Sequence, residues 1–443
     1  MQLSVEGTGL PQSRQVTTAP HGHVLTNAGV WSADGRWIVY DVRSTADGGL
    51  FDGTRIERVE VESGGVEVLY ESREGACCGV VTTSPVDDRV VFIVGPERPD
   101  ATWSYGPARR RGVMVRTSRP GEAESLDARD LVAPFTPGAL RGGTHVHVFS
   151  PDARLVSFTY EDAVLEAATP GAGERNLRGV GVTVLDAPVT VPPTHPRNHS
   201  GHASVLVTRL TDEPRPGSDE ISRAFEEAWV GSAGYRRADG SWQQRALAFQ
   251  GRVTAADGTS LDEVFIVDLP DEPRRLLEPG DGALAGTPTT RPAPPAGVSQ
   301  RRLTFTTDRR HPGIQGPRHW LRSSPDGTRI AYLARDDEGV VQLFVVSPTG
   351  GLPTQLTRSP WPIASSFSWS PDGRRIACVA DGSVCLVDAA DGNLHRLTPS
   401  VRDESAPRPE ACVFSPDGRR IAYARTVLAD GVCHNQIFVA DLP

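Results

Sequence analysis

The chain has 443 residues, and 55 acidic side chains outnumber 46 basic ones to leave a net charge of −9. That balance argues against a nucleic-acid backbone or an anionic membrane surface as partner. No apolar run approaches membrane-spanning length, and Met1 to Gln15 has neither a basic start nor an apolar core, so the expectation is a cytoplasmic protein without an export signal. Every residue counted as Lys or Arg is Arg, which removes Schiff-base, P-loop and lysine-base chemistry.

The first predicted element is a short strand, Arg14-Gln15-Val16-Thr17, which matches Pro353-Thr354-Gln355-Leu356-Thr357 near the other end. WSADGRWIVYDV (31 to 42) then opens a series of seven copies in which two apolar runs flank a tight turn. TSPVDDRVVFIV (83 to 94), FSPDARLVSFTY (149 to 160) and the divergent YRRADGSWQQRALAF (235 to 249) come next. SSPDGTRIAYLA (323 to 334), WSPDGRRIACVA (369 to 380) and FSPDGRRIAYAR (414 to 425) complete the series. Asp-Gly between β-branched runs supplies the positive φ of a hairpin turn, so each copy predicts the inner hairpin of a blade. Asp34, Asp87, Asp152, Asp239, Asp326, Asp372 and Asp417 are spaced 53, 65, 87, 87, 46 and 45 apart, the period of a propeller blade with insertions. Third strands such as VQLFVVSP (341 to 348) and outer strands ending in Leu-Thr come after the hairpins.

The predicted fold class is therefore all-β: a seven-bladed propeller of four-stranded antiparallel blades, one domain over residues 1–443. The last copy reaches Pro443 after three strands, and Arg14 to Thr17 is expected to pair around Ile437 to Ala440 and close the ring. Loops at 41–54, 95–111 and 161–176 are expected on the face where the inner strands begin. Residues 186–230 read as an insertion in blade four, with Asp219 to Val230 as a short amphipathic helix capped by Ser218, and 284–299 as a Pro, Ala and Thr loop. The six cysteines show no zinc spacing, and no GxSxG elbow occurs.

Counting back five residues from the turn serines gives Asn27, Gly79, His145, His319, Ser365 and Glu410, a ring expected at the mouth of the central channel. His147 lies two residues after His145, which on a regular strand places two imidazoles on one face. Such a pair suits a divalent metal ion, with His319 or Glu410 completing the shell; it equally suits the polar lining of a wet channel. The histidines of THPRNHSGHAS (194 to 204) suit ligands, a base or an ordered loop.

The SPDG-type repeats resemble those of TolB-like propellers over most of the chain, although TolB proteins are exported and bind partner proteins. WSADGRWIVYDVR, WSYGPARRRG (103 to 112), HVHVFSPD and RNHSGH resemble more closely the bacterial YidR-like propellers, which in turn resemble oligogalacturonate lyases. That resemblance implies a manganese-type ion held at the channel mouth by histidines and a glutamine, with a His-x-His three residues after the glutamine. His145 and His147 match the pair, whereas Gly142 stands at the glutamine position.

The chemistry so implied is β-elimination next to a carboxylate, assisted by a divalent ion, manganese-like or else nickel, iron or zinc. His199 or His202 would take the proton, Arg43 or Arg111 would clamp anionic groups, and Trp103 and Tyr105 would stack on a sugar or another flat ligand. Asn27 and Glu410 would meet the small anionic substrate at the mouth. Each arginine alone also suits a surface ion pair. An isomerase, epimerase or tailoring enzyme, or a hydrolase using metal-bound water, fits the same residues. The competing class is a non-catalytic propeller that presents its rim to a protein or a ligand.

Overall fold

The computed structural model describes residues 13–26, 28–45, 48–317 and 320–442. Seven four-stranded antiparallel sheets stand around one axis as a seven-bladed propeller, joined by a separate two-stranded ribbon. The inner strands are Gly22–Val24, Cys78–Thr83, Gly142–Phe149, Ala224–Trp229, Arg322–Ser323, Ser368–Trp369 and Pro407–Phe414. Apolar side chains pack between consecutive sheets: Val39 and Ile56 of blade one meet Val90 and Phe92 of blade two, and Leu333 of blade five meets Ile376 of blade six. Burial of these faces is the main favourable term holding the blades together. The only α-helix among the described residues is Ala163–Ala167, and no helix is long and apolar enough to cross a membrane.

The repeated turn works through one serine and one aspartate. In the blade-six copy Ser370 Oγ donates to Asp372 Oδ1 at 2.6 Å, and that oxygen also accepts the Arg374 amide at 3.0 Å. Arg375 N donates back to Ser370 Oγ at 2.9 Å, and Gly373 supplies the left-handed corner with φ +70°. Side chains then lock neighbouring blades. Trp31, Trp229 and Trp369 each donate an indole N–H to the inner strand of the preceding blade, at Val413, Val148 and Arg322 carbonyls.

The Leu-Thr ending also has a job. Thr357 Oγ1 accepts the Leu343 amide at 2.9 Å and donates to Gln342 Oε1 at 2.7 Å, finishing the ladder with a buried hydroxyl. Thr17 repeats both bonds with Ile437 N and Gln436 Oε1. The preceding Ser13–Gln15 pairs with the third strand of blade seven, Ser13 opposite Ala440 and Gln15 opposite Phe438, so the ring closes as the sequence predicts.

Blades three and four depart from expectation. The segment 186–230 spans two blades: Gly201–Leu206 is the outer strand of blade three, and only Ala224–Trp229 belongs to blade four. The helix expected over 219–230 is that inner strand instead. Its register slips between Phe225 and Ala228, with Glu226 left-handed at φ +55°, so a β-bulge gives the apolar residues the three- and four-residue spacing of a helix. Ser218 heads no helix; its hydroxyl donates to Arg215 O at 2.7 Å and accepts the Glu220 amide at 3.2 Å within a turn. The divergent copy 235–249 is not the inner hairpin, because Tyr235–Arg236 and Trp242–Gln243 form the extra ribbon. The loop at 284–299 is pinned by Arg141, which is fully buried, bonds the Thr287 and Thr290 carbonyls and donates through Nε to Asp162 Oδ2 at 2.7 Å.

Candidate functional site

Where the inner strands begin, a cavity of about 380 Å3 opens on the propeller axis. Leu25 and Thr26, Val80, His145, Ser366 and Glu410 enter its wall, at or next to the ring positions counted from the turns. Asn27 and His319 lie outside the described residues.

Among the described residues, three guanidinium groups and two carboxylates share this cavity: Arg43, Arg110 and Arg408 with Asp41 and Glu410. Arg43 Nε donates to Asp41 Oδ2 at 2.6 Å, and its guanidinium lies 4.5 Å above Phe51, which stacks on Tyr105 at 4.9 Å. Asp41 is fully buried and accepts the Val80 amide at 3.1 Å; burial raises its carboxyl while Arg43 pulls the other way. Arg408 Nε stands 3.5 Å from Glu410 Oε2. Arg110 is buried, reaches Tyr105 Oη at only 3.5 Å and keeps its Nε without a hydrogen-bond partner among the described residues. The excess of one positive charge in a half-enclosed space favours an anion.

His145 is the imidazole of this mouth. Burial, reinforced by the Arg110 and Arg178 charges, holds its pKa well below the ordinary histidine value, so the ring is neutral at pH 7. Its Nδ1 has no hydrogen-bond partner among the described residues.

His147 does not join it. Val146 takes φ +54° and the register slips between His145 and Val148, which breaks the alternation that would have aligned the two rings. His147 turns instead between blades two and three, where its Nε2 and Asp127 Oδ1 would each lie 2.7 Å from a Cβ at Gly112. His199 stands on the other side of that carboxylate, Nε2 to Asp127 Oδ2 at 3.9 Å. Burial lowers both histidines to about 4. Among the described residues no three His, Cys, Asp or Glu side chains converge where an ion could sit, and His145 and His147, the pair matched by the resemblance, stand apart.

The remaining candidates disperse. His202 is on the outer strand of blade three, its amide bonded to Leu126 O at 3.0 Å, and neither it nor His199 lines the mouth. Trp103 lies outside the mouth too, with the guanidinium carbons of Arg109, Arg129 and Arg197 5.5 to 5.9 Å from its ring. Tyr105, Arg43 and Glu410 do face the cavity. The run Arg109-Arg110-Arg111 divides three ways: Arg109 pairs with Glu166 at 3.0 Å, Arg111 bonds Ser125 Oγ at 2.7 Å, and only Arg110 points inward. Composition could not choose among the three; strand alternation from Arg111 could have.

Residues 77–199, which carry Arg110, Asp127, His145, His147 and His199, match the family model described as Protein of unknown function (DUF3748). Over 412 residues the chain is 47% identical to Uncharacterized protein YidR of Escherichia coli (strain K12), covering 93% of this chain and 94% of that one. The chain belongs to the YidR family. Among solved structures, this YidR-family chain is similar to an oligogalacturonate lyase in complex with manganese, at TM-score 0.56 and 13% identity over 98% of this chain and 93% of that one. It is similar also to oligogalacturonate lyase from Vibrio parahaemolyticus, at TM-score 0.60 and 9% identity over 98% and 94%. At those identities the likeness establishes a shared propeller fold.

Proposed function

We propose that the channel mouth binds a small carboxylate-bearing ligand and that His145 moves a proton next to that carboxylate, as in a lyase-like β-elimination or a related isomerisation. The observation that carries this is a half-buried, neutral imidazole beside an inward-pointing guanidinium, Arg110, in a cavity with surplus positive charge. Arg110 would receive the carboxylate through a charge-assisted bond, and its charge would also favour the enolate-like anion formed as the α-proton leaves. Phe51 and Tyr105 supply a flat wall for a sugar ring or another planar body. His145 replaces His199 and His202 as the proposed base, because it alone of the three lines the cavity. The fold shared with lyases of known structure supports the reading, with galacturonate-type acids as the first ligands to try.

The test is deuterium wash-in from D2O at the α-carbon of a panel of uronates, monitored by proton NMR, with His145→Ala and Arg110→Gln beside the parent. Wash-in should vanish in His145→Ala with ligand binding retained, and Arg110→Gln should weaken binding at least tenfold. Unchanged wash-in in His145→Ala would remove the proposed base. Because the low pKa keeps His145 deprotonated, kcat/KM should stay flat as pH falls from 8 to below 6, where an ordinary histidine base would lose activity.

A further inference from the structure

Three histidines meet where blade seven closes onto blade one. His21 and His23, at the head of the inner strand Gly22–Val24, stack with ring centroids 4.4 Å apart. His434, on the third strand of blade seven, Val432–Asp441, lies close enough for a charge on it to act on both rings. His21 is half-buried, His23 fully buried and His434 only 9% exposed. His23 also ties the two strands together, since its Nδ1 donates to the Asn435 carbonyl at 2.9 Å.

A carbonyl only accepts, so the neutral His23 ring carries its proton on Nδ1, and a second proton could go only to Nε2, which is buried without a hydrogen-bond partner among the described residues. His21 Nδ1 and His434 Nδ1 are buried in the same way. The charged groups around the rings are committed to one another. Glu57 accepts Tyr40 Oη at 2.9 Å and lies 3.5 Å from Arg55 Nε, while Arg43 Nε donates to Asp41 Oδ2 at 2.6 Å. Tyr40 turns its ring to His23, 4.9 Å away. Burial, reinforced by His21 and His434, lowers His23 to about 3, and burial lowers His21 as well, against the pull of Glu57. An imidazolium buried with no anion free to meet it is costly.

A histidine held below its ordinary value of 6.5 binds a proton more readily once it is exposed, so the stability that the seam has above pH 6.5 is lost as pH falls toward 3. The residues that follow His23, Val24 to Thr26, line the channel mouth, so moving this strand moves that wall. We propose that the three histidines form an acid-sensitive catch, in which protonation frees Val432–Asp441 from Gly22–Val24, opens the ring at its closing seam and shifts one wall of the mouth. Opening starts from a minor population at neutral pH, so the mouth keeps its form down to about pH 6. The catch does not depend on the function proposed for the mouth.

The test is amide hydrogen exchange of the full-length protein at pH 7 and pH 5, corrected for intrinsic exchange and read by mass spectrometry, beside His23→Gln and the double variant His21→Gln, His434→Gln. In the parent, protection over residues 13–17, 22–26 and 432–441 should fall at least tenfold between the two pH values, while that of Ile330–Arg335 and Val341–Val346 in blade five stays within threefold. His23→Gln, whose amide can still donate to the Asn435 carbonyl, should confine the fall at the seam to threefold or less. The double variant keeps His23 and its bond, so it carries the test should His23→Gln fold poorly, and it should reduce the fall at least twofold. No fall in the parent, a fall of equal size in blade five, or an unchanged fall in both variants would overturn the inference.

Discussion

Blades five and six carry the repeat in its plainest form, whereas blades two, three and four distort it. In the plain pair the inner strand is two residues, Arg322–Ser323 or Ser368–Trp369; in the other three it runs six to eight residues and carries a left-handed residue, Val80, Val146 or Glu226. A non-glycine residue held there costs of order 1 kcal/mol or more, so three such positions in consecutive blades are strain the rest of the sheet must offset. In blades three and four the residue after the bulge is re-aimed between blades or into the axis: His147 beside Asp127, Glu227 into a second cavity where the inner strands finish. The regular repeat thus supplies the frame, and its departures are where unusual chemistry is placed.

The regular features should then dominate stability. Deleting the chain through Thr17 removes the closing strand, the buried Val16 and the two hydroxyl bonds of Thr17, and leaves the edge of Val432–Asp441 unpaired. Roughly 4 kcal/mol or more should be lost, from about 2 for the valine and about 1 for each buried bond. Denaturant unfolding checks this, and an unchanged midpoint would mean that the ring does not need its closure. Arg141 asks the opposite question, whether the distorted half also contributes. Arg141→Ala leaves Asp162 buried without its cation and frees the 284–299 loop, so a loss of about 3 kcal/mol is expected by the same measurement. A benign Arg141→Ala would show that loop to be decoration and confine the stabilising features to the plain blades.

Legibility in the sequence divides along the same line. The copies at 323–334, 369–380 and 414–425 are readable because Ser, Asp and Gly at fixed offsets each make a specific bond or dihedral in the turn. Arg14 to Thr17 is readable because Thr17 repeats the bonding of Thr357. The stretch 219–230 misleads because a bulge makes a strand imitate helical spacing, and the same device separates His145 from His147. Pattern reading assumes unbroken alternation, and bulges remove it without a residue-type signature: Val80, Val146 and Glu226 share none. Asp127 escapes notice for another reason, since it acts through contacts between blades two and three that no local motif encodes.

The smallest effect concerns one turn position in the two halves. Gly327, in a plain blade, sits at φ +69°, and a Cβ there would fall 2.0 Å from the Gly234 carbonyl oxygen, a backbone atom with little room to yield. Gly327→Ala should therefore destabilise by about 2 kcal/mol, combining left-handed strain with a forced shift of the turn before the extra ribbon. At the matching position of blade three the chain carries Ala153, buried and left-handed at φ +49°. Ala153→Gly removes the steric cost of that conformation and adds back some unfolded-state entropy, so the net gain should be about 0.5–1 kcal/mol. Opposite signs for the two substitutions, read as shifts in melting temperature, would show that blade three tolerates strain which the plain blades avoid. A loss on Ala153→Gly would mean that the alanine methyl, packed beside Phe149 and Val156, outweighs its backbone strain, and that the distortion of blade three stops at its inner strand.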